Sequence, residues 1–118
     1  MTNVETVQSQ LDAYNSRDID RFMGFWANAC QYFAFPDQLL ADGAAAIRER
    51  HVARFQEPAL HGELIARIDA GDLVIDQEIV TRNFPDGVGE VDVVAIYEVR
   101  NGKILRAWFK QGVPRLQG

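Results

Sequence analysis

Cysteine is all but missing from this chain: Cys30 stands alone among 118 residues. That excludes an intrachain disulfide and any cysteine-built zinc site. Its neighbours are bulky and apolar, with no base or helix start beside it to stabilise a thiolate, so it reads as an inert, buried thiol. Runs of basic residues are missing as well. Twelve Lys plus Arg against seventeen Asp plus Glu give a net charge of -5, and without a basic patch there is no surface to neutralise phosphates, which excludes nucleic acid as a partner. Long apolar runs are absent too. The longest uncharged stretch, Phe22 to Pro36, contains Gly24, Asn28 and Gln31 and is too short for a bilayer. Glu5 and Asp12 fall where a signal peptide needs its apolar segment, so the expectation is a cytoplasmic protein without membrane contact. Of the two histidines, neither has zincin-type spacing, and His61 with Glu63 lacks a third ligand, so no metal is expected. No glycine-rich loop leads from a strand into a helix, and no phosphate-cradling cofactor is expected either.

What is present suits one globular domain over residues 1–118, with 47% of residues apolar and 25% charged. Thr2, Asn3, Val4 and Glu5 form a capping-box sequence, and Val4, Val7, Leu11 and Tyr14 recur at helical spacing after it. Asp18 offers a second cap. Ile19, Phe22, Met23 and Trp26 continue the helical period, predicting a second, shorter helix with a bulky face. From Cys30 the period becomes two, with Cys30, Tyr32 and Ala34 opposite Gln31, Phe33 and Phe35, until Pro36 and Asp37 stop the strand. Asp42 and Gly43 introduce a third helix whose shared face is Ala44, Ile47, Arg48, His51, Val52 and Phe55, closed by Pro58.

A meander of four strands follows. Leu64, Ala66 and Ile68 alternate with Ile65, Arg67 and Asp69 before a turn at Gly71 and Asp72. Leu73, Ile75, Ile79 and Thr81 alternate with Asp76, Glu78 and Arg82, and Pro85, Asp86 and Gly87 supply a hairpin connection. Val91, Val93, Ala95, Tyr97 and Val99 face one way in the next strand, Val94 and Ile96 the other. Asn101 and Gly102 are the strongest hairpin signal in the chain, and Ile104 to Phe109, with Trp108, forms the last strand. Helices first and a meander second make an α+β domain. Val94, Ile96 and one of Trp108 and Phe109 are left on the sheet's outer face, so a two-fold homodimer through that face is expected.

In this order, three segments resemble the nuclear transport factor 2-like superfamily, and within it the SnoaL-like and ketosteroid-isomerase-like groups. They are Ala13-Tyr14-Asn15-Ser16-Arg17-Asp18-Ile19-Asp20, Gly43-Ala44-Ala45-Ala46-Ile47-Arg48 and Asn101-Gly102-Lys103-Ile104. The resemblance implies a cone: three N-terminal helices packed in a strongly curved mixed or antiparallel sheet that encloses a mostly apolar pocket. Fold alone does not settle function, because the superfamily covers isomerases, cyclases, hydrolases, dehydratases and members without chemistry. Steroid isomerases need a tyrosine on the first helix, a carboxylate base on the first strand and a protonated acid opposite. Matching motifs puts these on Gln10, Ala34 and a position at or near Ala95. The chemical groups are gone, so steroid isomerase chemistry is not expected.

The resemblance and the residue patterns together point to Gln10, Tyr14, Phe22, Met23, Trp26, Tyr32, His51, Phe55 and Tyr97 as ligand-contacting residues. His51 and Tyr14 are the candidates for catalysis, His51 as base or donor. Each has a structural alternative. His51 can be a buried imidazole bonded to Gln10, Tyr14 or water; the tyrosines can be packed with satisfied hydroxyls; the aromatic stripe can be plain core. Arg48 could clamp a carboxylate or pair with Asp42 or Glu49. Asp76, Glu78 and Arg82 read as a solvated charge ladder rather than a catalytic pair. The expected function is binding of a small hydrophobic molecule. The alternative is a cofactor-independent isomerase, cyclase, dehydratase or hydrolase acting on one.

Overall fold

The Thr2 hydroxyl accepts from the Glu5 amide at 3.1 Å while the Glu5 carboxylate accepts from the Thr2 amide at 2.9 Å. The capping box therefore starts helix α1 (Asn3–Asn15) as its sequence requires. In this computed structural model, which describes residues 1–117, Arg17 takes a positive φ of 57° and turns the chain into α2 (Ile19–Met23), capped by the Asp18 carboxylate. The Arg17 Nη2 donates to the carbonyls of Glu57, Pro58 and Leu60 at 2.9 to 3.0 Å, bolting this turn to the segment after the third helix.

Helix α2 is shorter than its stripe suggests. Gly24 caps it, and Trp26 opens strand β1 (Trp26–Ala34) instead of completing the helical face. The tight turn carries Trp26 back against Phe22 at 5.8 Å between ring centroids, so the helical spacing survives as a contact although the helix does not. Strand β2 (Gln38–Asp42) pairs antiparallel with β1; its three exposed leading residues carry no buried alternation, which is why its sequence reads as loop. Helix α3 (Ala44–Arg54) buries Ile47 and His51, whereas Arg48 and Val52, expected on the same face, are exposed.

Strands β3 (His61–Ala70), β4 (Leu73–Phe84), β5 (Gly87–Arg100) and β6 (Lys103–Gln111) form the meander, and β7 (Arg115–Leu116) adds to β5. The order is β2-β1-β6-β5-β4-β3, with β1 and β6 parallel and the other pairs antiparallel. Asn101 and Gly102 turn with φ of 52° and 74°, the paired positive angles of a two-residue hairpin loop. On β5 the inward set Val91, Val93, Ala95, Tyr97 and Val99 is buried as the alternation predicts. At the last strand the outward aromatic is Trp108, stacked on Phe33 at 5.7 Å, while Phe109 faces in.

Two alternations read differently in three dimensions. A bulge between Leu64 and Ala66 shifts β3 by one residue, so Arg67 turns inward and Ile68 outward. On β4 the buried residues are Val74, Asp76, Glu78 and Val80; Asp76 is 0% and Glu78 6% exposed. The expected solvated ladder is thus an interior row, with Ile75 and Ile79 turned to the other face, half-buried. Both faces of β4 carry apolar residues, and counting them does not reveal which side is in. No helix among the described residues is long and apolar enough to cross a membrane.

Candidate functional site

Where α1, α2 and α3 meet the concave face of the sheet, side chains from every layer surround an inner cavity of about 40 Å³, room for a few water molecules. Of the residues expected there, Gln10, Tyr14, Phe22, Trp26, Tyr32, His51 and Tyr97 line it. Met23 and Phe55 do not; Met23 packs behind the wall, and Phe55 is core against Tyr14 and Phe22. Phe109 and Tyr32 stack at 4.4 Å and an interplanar angle of 26°. This pair borders both the inner cavity and a second, outer recess of about 310 Å³ whose lining also includes Phe35, Leu40, Arg50 and Lys110.

Each polar side chain has a definite state. His51 is 2% exposed, and its Nδ1 lies 2.8 Å from the Ile47 carbonyl oxygen. A carbonyl only accepts, so Nδ1 carries the proton and Nε2 presents a lone pair. The ring lies 4.6 Å from that of Phe22 and 5.5 Å from that of Tyr32, and burial pushes its pKa down to about 4. His51 is therefore neutral at pH 7 and a weak base, useful as a hydrogen-bond acceptor. Its partner is the helix backbone, not Gln10 or Tyr14. The Gln10 amide instead donates to the Tyr97 hydroxyl at 3.4 Å. Burial, helped by the charges of Glu78 and Asp76, holds Tyr97 well above the usual phenol range. Tyr14 is pushed up to about 12 by burial, against the pull of Arg54. Both hydroxyls keep their protons.

The inner row of β4, expected to be solvated, brings two acidic side chains into the interior. Asp76 is clamped by Arg67 through two bonds of 2.6 and 2.9 Å, and Arg67 also donates to Gln8 at 2.9 Å. Glu78, two residues on and lining the cavity, makes no side-chain hydrogen bond with any described residue. Burial first, then the charge of Asp76, raise its pKa to about 7, with Arg67 pulling the other way. Gly62 makes the space: a Cβ there would stand 3.1 Å from the Glu78 Oε1 and 3.2 Å from Leu11 Cδ1. The signal for this row was in the sequence. With Pro85 and Asp86 at the turn, Phe84 pairs with Gly87, and counting back sets Asp76 opposite Ala95 and Glu78 opposite Val93. Directly paired residues share a face, and the inward face of β5 was already known.

The remaining candidates resolve as structure. Arg48 pairs with Asp20 rather than Asp42 or Glu49, and Arg82 borders the cavity but is held by Glu57. Cys30 is buried, its pKa raised to about 11 by desolvation, as expected of an inert thiol. Among the described residues no cluster of His, Cys, Asp and Glu is arranged to hold a metal. The buried Trp26 Nε1 in the cavity wall has no acceptor among the described residues.

The family model for the SnoaL-like domain matches residues 7–107. No curated protein matches the sequence. An uncharacterised cystatin-fold protein from Novosphingobium aromaticivorans is 28% identical, superposes with a TM-score of 0.86, and the match covers 92% of this chain and 97% of that one. A nuclear transport factor 2-like protein from Burkholderia thailandensis is 22% identical over 95% of this chain and 92% of its own, with a TM-score of 0.79. A candidate polyketide cyclase from Sinorhizobium meliloti shares the fold at 20% identity and a TM-score of 0.76, over 89% of this chain and 93% of its own.

Proposed function

We propose that this chain, which belongs to the SnoaL-like domain family, binds a small, mostly apolar molecule inside its cone. The observation that carries this reading is a cavity walled by Phe22, Trp26, Tyr32 and Tyr97 in which hydrogen-bonding capacity is left over. A buried indole N–H without an acceptor among the described residues costs about 1–3 kcal/mol, and the Glu78 carboxyl, which lines the same cavity, makes no side-chain hydrogen bond with them. A ligand bearing one acceptor and one donor satisfies both. Trp108 lies on the opposite face, so in the Trp108→Phe variant Trp26 is the sole tryptophan and reports on the cavity. Titration with 2-naphthol, which fits only if the wall side chains part beyond the resting volume of about 40 Å³, is expected to quench and shift its fluorescence saturably. A linear, non-saturating response in this variant and in the unmodified chain overturns the reading.

A second reading, cofactor-independent catalysis, is favoured by Glu78. A carboxyl group poised near neutral pH can take a proton from a ligand and return it, the work of an isomerase, cyclase, dehydratase or hydrolase. Steroid isomerase chemistry gains no support, because Gln10, Ala34 and Ala95 carry neither the hydroxyl nor the carboxylates it needs. The homodimer through the outer face and a cytoplasmic site of action belong to the same proposal; Val94, 40% exposed beside the Phe33–Trp108 stack, is the apolar surface the second copy would cover.

A further inference from the structure

We propose that the outer recess is an anion subsite, so that the molecule held by the cone is a small organic carboxylate with its acid group at the mouth and its apolar end directed inward. This rests on the binding reading above and adds the chemical class of the ligand.

The two cavities are neighbours. Tyr32, Phe109 and Gln111 border both, and the stacked rings of Tyr32 and Phe109 form the partition. Their electrostatics differ. The inner cavity has Glu78 in its wall beside Arg54 and Arg82, whereas the recess is lined by Arg50, with Lys110 at its rim, and by no carboxylate. In a chain of net charge -5 that is a local reversal of sign. It is also uncompensated. Arg48, Arg67, Arg82, Arg100, Arg106 and Arg115 each hold an acidic side chain, while Arg50 and Lys110 form no ion pair among the described residues.

Arg50 is also held in place. Its guanidinium carbon sits 5.1 Å from the centre of the Tyr32 ring, within cation–π range, and its Nε is buried with no acceptor among the described residues. A guanidinium fixed by an aromatic face, with an unused donor on its edge, suits the two oxygens of a carboxylate, which accept in parallel from Nε and Nη. Lys110 borders the recess at its rim, its side chain leaving β6 on the face of its partner Val94, and adds a weaker, longer-range positive charge. A recess of about 310 Å³ accommodates a carboxylate and several carbons, and the aromatic partition then contacts the apolar chain that follows.

The test compares 4-phenylbutanoate with its neutral isostere 4-phenylbutanamide by NMR titration of the full chain, at low and at high sodium chloride. The acid is expected to bind about tenfold or more tightly than the amide, the range of a charge-assisted hydrogen bond, and to lose that advantage in high salt. Arg50→Gln should bring the acid to the affinity of the amide measured in the same variant, the acid losing far more than the amide. Arg50→Lys, which keeps the charge and loses the fork, should fall between, and Lys110→Gln should give a smaller loss. Should Arg50→Gln fail to fold, the other two variants carry the comparison. Equal binding of acid and amide by the unmodified chain overturns the anion subsite while leaving the inner cavity as a binding site. Failure of both probes to bind at millimolar concentration, with 2-naphthol also inert, overturns the subsite together with the reading beneath it.

Discussion

Glu78 and His51 face the same cavity with opposite consequences for stability. A carboxyl whose folded pKa is raised to about 7 from 4.5 binds its proton more tightly when folded, so its contribution falls as pH rises from about 4.5 to 7. An imidazole lowered to about 4 from 6.5 is charged more readily when unfolded, so stability falls as pH drops from about 6.5 to 4. Each shift corresponds to roughly 3 kcal/mol. Between about pH 4.5 and 6.5 the two slopes offset one another, and above that window only the Glu78 slope remains. Urea unfolding of Glu78→Gln should therefore show a gain over the unmodified chain that is small at pH 4.5 and grows to about 2 kcal/mol by pH 8. A difference that does not change with pH shows that the carboxyl is not perturbed. The aromatic wall was legible in the sequence because Phe22 kept to a helical stripe while Tyr32 and Tyr97 kept to strand alternations. Glu78 was not: its alternation fits either face, and only the turn register decides between them.

At the level of elements, the helices and the two long hairpins announce themselves through local chemistry: the Thr2–Glu5 box, the Asp18 cap, the Asn101–Gly102 turn. What stayed hidden depends on partners distant in sequence. Strand β2 exists because β1 offers it a ladder, β7 because β5 does, and the β3 bulge because Arg67 must meet Asp76. Arg17 is another such long-range tie. Its guanidinium satisfies three carbonyls of the segment leading into β3, groups that no other part of the described chain reaches with a side chain. Arg17→Ala should lower stability by about 2–3 kcal/mol, since hydrogen bonds to a charged group are the stronger kind, and amide exchange should speed up first at Leu60 and Gly62. Loss below 0.5 kcal/mol shows that water replaces the guanidinium without penalty.

For the whole molecule, the resemblance carried by three short segments implied the cone correctly, down to the mixed sheet, because element order and turn positions constrain topology more than any single residue does. The interior was harder to foresee. Its volume depends on how aromatic side chains interdigitate, and the outer recess depends on β2, the strand that was not recognised. The proposed pairing of outer faces has a direct check: sedimentation equilibrium should give a dimer at micromolar concentration, and replacing Val94 and Trp108 with Lys should shift it to monomer. A monomer across the whole concentration range removes the pairing.

The Tyr32–Phe109 stack places one removable ring between the two chambers. If the cone binds a ligand as proposed, trimming the Phe109 half of that stack is expected to join the two spaces without touching the backbone, so that a single codon would set the length of molecule that fits.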